Sequence, residues 1–146
     1  VGYLSPYLIA ITLAWVIAQG AKFLISNVKN QGAVDFRQLY KSGNMPSGHS
    51  ATVVALMTIV GLKDGVEGAL FAISALLAAI VMYDAVMVRR STGEQGVAIQ
   101  ELIKEQKSDI RLPRAAKGHE PLEVAVGAFV GLAVGLLVFF LTTIQK

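Results

Sequence analysis

Cysteine is absent from the chain. No disulfide, thiolate metal site or cysteine nucleophile is therefore available. Charge is also scarce. Charged residues make up 16% of the sequence, against about 25% in an ordinary soluble domain. There are only two histidines, and acids trail bases by 10 to 13, a net charge of +3. Apolar residues reach 54% and mean hydropathy is +0.58. A chain of 146 residues, one domain in size, has much surface for its volume. This composition cannot cover that surface with polar groups. A small soluble enzyme, a disordered tail and a nucleic-acid-binding module all fit poorly. The leading class is an all-α integral membrane protein forming a single domain over 1–146.

Four stretches lack charge: Val1–Ala21, Ser42–Leu62, Gly68–Tyr83 and Val124–Gln145, of 21, 21, 16 and 22 residues. A bilayer core about 30 Å thick needs roughly 20 helical residues. The first and last runs fit directly. The first has no basic n-region and no clear cleavage site, so it reads as a span rather than a signal peptide. The third reaches spanning length when Asp84 and the following AVMV are included. The second opens on SGNMPSGHS, so its apolar part, His49 to Leu62, makes a short span of about four turns. The expectation is a four-transmembrane-helix bundle with short interfacial helices. The VDFRQLY segment and the amphipathic GEQGVAIQELIKEQ segment are the candidates for the latter. Gly127, Gly131 and Gly135 form a small-residue stripe on the last span. It suits close packing within the bundle better than dimerisation.

With four spans, residues 29–48 and 89–123 share one side. That side, with Lys22, carries eleven of the thirteen Lys and Arg. The positive-inside rule places it in the cytoplasm and both termini outside. A re-entrant second run, giving three spans, would separate the two polar stretches. In the four-span arrangement Lys22, His49, Asp84, Arg89, Arg90, His119 and Glu123 fall in one membrane layer. His119 and Glu123 are four apart, on one helical face. A carboxylate beside an imidazole fixes its tautomer and supports positive charge on the ring; a helix-entry His with an unrelated Glu is the plainer account. In NMPSGHS, Ser47 or Ser50 can cap the next helix, Gly48 permits close approach, and the helix start offers free amides to an anion. Lys22 and Asp84 are charges within apolar runs and are expected to face protein, potentially as a pair, with Gln19 one turn before Lys22. Arg89 and Arg90 either stop the third span or bind an anion. The excess of cations argues against a zinc site, and GHS lacks a nucleophile elbow. No metal or cofactor is expected.

These segments resemble the superfamily of type-2 phosphatidic acid phosphatases and vanadium-dependent haloperoxidases. They are most similar to its small divergent branch, the divergent PAP2 family of bacteria and plants. The signatures are QGAKFLI around Lys22, GNMPSGHSA around His49, MYDAVMVRR ending at Arg90, and GHEPLEVAVGAFVG from Gly118. The resemblance implies a reduced PAP2-like core in a bacterial plasma membrane. It also implies a metal-independent lipid phosphatase or pyrophosphatase working through phosphohistidine, on a phosphorylated lipid. In that scheme His119 attacks phosphorus, Glu123 orients it, and His49 protonates the leaving oxygen. Lys22, Ser47 and Gly48 bind phosphate, helped by Arg89, Arg90 or Arg114. The superfamily's Arg-Pro after the first lysine is absent here, and Leu112-Pro113 stands where its Ser-Arg belongs. Those departures leave open a non-catalytic protein that binds lipid phosphate or carries an anion or lipid.

Overall fold

The structure is a computed structural model that describes residues 4–29, 45–113, 115 and 118–144. The VDFRQLY segment expected to form an interfacial helix lies outside the described residues, as does Arg114. The chain forms an all-α integral membrane protein built from α1 (Pro6–Lys29), α2 (Gly48–Asp64), α3 (Ala69–Tyr83), a π-helical turn (Asp84–Val88), α4 (Arg89–Glu105) and α5 (Pro121–Ile144). Three continuous helices are long and apolar enough to cross a membrane: Pro6–Val28, Ala69–Glu105 and Pro121–Ile144. The fourth member of the bundle, α2, has 17 residues and is about 25 Å long.

Direct contacts set the helix directions. Tyr7 at the start of α1 donates its hydroxyl to Asp64 at the end of α2, at 2.8 and 2.9 Å to the two carboxylate oxygens. Gly48 at the start of α2 lies beside Trp15 and Gln19 of α1. Hence α1 and α2 run antiparallel. At the other end of the bundle, the Ser47 amide donates to the Glu123 carbonyl at 3.0 Å, and the His119 amide to the Ala85 carbonyl at 3.3 Å. The start of α2, the end of α3 and the start of α5 therefore meet in one layer. The re-entrant alternative would have split the two polar stretches between opposite sides. Here the residues that close both stretches touch.

Small side chains make the core. Ala10, Ala14 and Ala18 of α1 repeat every four residues and meet Ala51, Ala55 and Ile59 of α2 and Val134 and Val138 of α5. Lipid tails are as apolar as leucine, so association within a membrane depends on close packing of this kind. The glycine stripe of α5 faces inward. A Cβ on Gly131 would run into the Ala51 carbonyl, and one on Gly135 would sit 2.7 Å from the Thr58 Cβ. Larger apolar residues point outward, among them Leu70, Ile73, Leu76 and Ile80 of α3 and Phe129 and Phe140 of α5.

One expectation changes. The amphipathic segment does not begin a separate helix. It continues α3 through the π turn, so that Ala69–Glu105 is one helix of 37 residues. Arg89 and Arg90 do not end the helix, which runs on to Glu105. Beyond Glu105 the chain turns back along α4: Gln100 donates its side-chain amide to the Pro113 carbonyl at 2.6 Å, and Gly96 packs on Ala115.

Candidate functional site

The site begins with the cap of α5. Pro121 occupies the first helical position, where a missing amide hydrogen costs nothing. Glu123, two residues on, reaches back so that its Oε2 accepts the Glu120 amide at 3.2 Å, one half of a capping box. The same oxygen lies 2.8 Å from the Nδ1 of His119. Both side chains are well buried, 6% and 12% exposed. An ionised carboxylate only accepts hydrogen bonds. In the neutral ring this pairing puts the proton on Nδ1 and the lone pair on Nε2.

The start of α2 abuts this cap. Ser47 accepts the Ser50 amide at 3.4 Å and the Ser50 hydroxyl at 2.9 Å. It is the N-cap of the helix, and it is completely buried. The amides of Gly48 and His49 have no acceptor one turn earlier within the helix. Gly127 lets the two helices approach, since a Cβ there would run into the Ser47 carbonyl. Two helix N-termini, each carrying partial positive charge, thus converge beside His119.

Lys22 comes from α1 and is 5% exposed. Glu123 is the carboxylate within its electrostatic range. The expected pair with Asp84 does not form. Asp84 accepts from the Nε of Arg89 at 2.7 Å. One turn before Lys22, the Oε1 of Gln19 is buried without a hydrogen-bond partner among the described residues. A buried ammonium and an unmet amide oxygen, next to free helix amides, are the features of a polar site that a ligand or water completes.

His49 is exposed at the mouth of the layer. Arg89, His119, Lys22 and Asp84 all lie within its electrostatic range. The two arginines diverge. Arg89 pairs with Asp84 within electrostatic range of His49, whereas Arg90 pairs with Glu94 at 3.1 Å and lines an open groove of about 550 Å³ with Gly93, Val97, Ala115, His119 and others. The structure thus brings Lys22, His49, Asp84, Arg89, His119 and Glu123 together and puts Arg90 on the groove side of His119. Among the described residues, no three His, Asp or Glu side chains converge to hold a metal ion. Sequence reasoning missed the Ala85 carbonyl that receives the His119 amide. Gly118 gave the one local signal: a Cβ there would sit 2.8 Å from the Arg89 carbonyl carbon and closer still to Arg90.

The model of the divergent PAP2 family matches residues 4–134. The uncharacterized membrane protein YuiD of Bacillus subtilis (strain 168) is 35% identical over 148 aligned positions, covering 91% of this chain and 90% of that protein. No solved structure gives a significant match. The extent of both sequence matches makes the chain a member of the divergent PAP2 family.

Proposed function

We propose that this protein is a metal-independent phosphohydrolase acting on a lipid phosphomonoester or diphosphate at the membrane interface. The observation that carries the reading is the buried Nδ1 to Glu123 bond at 2.8 Å, which in the neutral ring puts the proton on Nδ1 and the lone pair on Nε2 of His119. Nε2 attacks phosphorus, an N–P bond forms, and the P–O bond to the lipid breaks. His49 gives its proton to the departing oxygen. Water then attacks the phosphohistidine, His49 takes a proton from it, and the N–P bond breaks to release phosphate. Lys22, Arg89 and the Gly48 and His49 amides stabilise the equatorial oxygens. Ser47 acts through the helix it caps, and Arg90 holds the neighbouring groove. The chain as a whole, 1–146, serves as one catalytic domain.

Phosphate release from a panel of lipid phosphates and diphosphates, by purified protein in detergent with EDTA present, tests this reading. Turnover that EDTA leaves intact and vanadate inhibits is the expected result. Vanadate fits because its five-coordinate form mimics the transferring phosphoryl group. A second reading has one observation in its favour: Arg89 and Arg90 are both engaged by carboxylates. Saturable binding of lipid phosphate without turnover would establish that alternative, a lipid-phosphate-binding or transport-related protein.

The site faces the cytoplasm in this proposal, because eleven of thirteen cations flank that side. The chain has no native cysteine, so single cysteines report topology cleanly. In right-side-out vesicles, an impermeant thiol reagent is expected to label a cysteine at exposed Val66 and to miss one at exposed Gln95. Labelling at 95 alone reverses the orientation.

A further inference from the structure

The π turn between α3 and α4 has no role in the chemistry above. We propose that it is the positioning device of the site, docking the His119 backbone and turning Arg89 towards His49. The proposal rests on the phosphoryl-transfer reading only for what Arg89 then binds. Three observations support it. First, the Arg89 amide bonds the Asp84 carbonyl, five residues back. In an α-helix that amide would go to the Ala85 carbonyl. The carbonyl so bypassed accepts the His119 amide at 3.3 Å. Second, Asp84 and Arg89 pair at 2.7 Å although five residues apart. Such residues stand about 140° apart around an α-helix and point away from each other. A turn that closes from residue i to i+5 brings them to one side. Third, Gly118 lies against the backbone of Arg89 and Arg90, too close for any Cβ. The chain leading into α5 is therefore laid flat on the helix just where its register changes. A single extra residue in a long helix thus places both a nucleophile and a cation. Asp84 and Ala85 are positioning residues; neither needs to touch the ligand.

Two measurements test this. The first is a vanadate titration of detergent-solubilised protein labelled with 15N-histidine, read on the His119 ring. Asp84→Asn and Arg89→Gln should each weaken vanadate binding about tenfold with unchanged melting temperature, and the double variant should be no weaker than either single one. Wild-type affinity in Asp84→Asn, or additive losses in the double variant, overturns the Asp84 role. The second is hydrogen exchange at the His119 amide. Deleting Val86 returns the helix to α register and should speed that exchange at least tenfold, while Asp84→Asn leaves it unchanged. Should the deletion variant fail to fold, Ala85→Pro is not a substitute, because it alters the turn itself; Gly118→Ala takes its place, since it lifts the strand off the turn and should speed exchange likewise. Unchanged exchange in the folded variant overturns the docking role. If wild type binds no vanadate, the phosphoryl reading fails, and the exchange measurement alone decides the turn.

Discussion

His119→Ala is expected to reduce phosphate release to background, a loss on the order of 10³-fold or more. No other described side chain presents a ring nitrogen to this layer with a hydrogen-bonded carboxylate behind it. His119→Asn is the informative companion. Its amide can still donate to Glu123, so the buried carboxylate keeps a partner and the α5 cap survives, yet nothing replaces Nε2. Both variants should be inactive, and the asparagine variant should also melt near wild type. Glu123→Gln should retain more activity than either, with a loss on the order of 10²-fold, because its Oε1 can still receive the Nδ1 proton but supports imidazolium charge poorly. Quenching wild type in alkali with a 32P-labelled substrate should trap label on His119, and acid should release it. Full turnover by folded His119→Asn would eliminate the nucleophile assignment.

The second large effect falls on packing. Gly131→Leu should part α2 from α5. Even a single Cβ at 131 meets the Ala51 carbonyl carbon and the Ala55 amide nitrogen at 3.0 Å. These are backbone atoms of a helix and cannot give way without moving the helix itself. Overpacking of this kind costs about 1–3 kcal/mol for a small insertion, and an isobutyl group asks for far more room. The expected result is loss of a cooperative thermal transition, or a melting temperature lowered by more than 10 °C on the order-of-magnitude conversion for a domain of this size. Gly20 provides the control. A Cβ there meets nothing within 4 Å. Gly20→Ala removes backbone freedom from a helix and should stabilise by about 0.5–1 kcal/mol. The opposite signs at two helical glycines separate packing from propensity. Equal effects would show that the stripe does not hold the bundle.

Much of this site is legible in the sequence because its signals are local. The capping serine before α2 and the four-residue glycine period each describe one turn of helix and are found as written, whereas His119 and Glu123 meet through the cap of α5 rather than on one helical face, because His119 precedes the helix. The inner layer follows from span counting, since charge distribution constrains which helix ends share a side. What is hidden is everything that depends on helical register. The run RRSTGEQG looks like a helix end because it is polar, yet α4 simply leaves the apolar environment while the backbone continues. Nothing in DAVMV announces a π turn, and without it the pair of Asp84 with Arg89 has no reason to be considered. Lys22 then appears to need Asp84, when its field comes from Glu123, across two other helices in the sequence.

The order of synthesis gives the glycine stripe another meaning. The helix with the largest buried share, α2, finds its principal partner in α5, the last of the described helices to be made. Until α5 is inserted, the backbone of Ser47, Ala51 and Ala55 lacks the glycine stripe that packs on it, and the Ser47 amide has no Glu123 carbonyl to bond. Folding of the site is thus deferred until α5 is inserted. A nascent chain arrested before Pro121 holds α1, α2 and α3 but no closed layer between them. The closed layer, and with it the site, begins with the docking of α5.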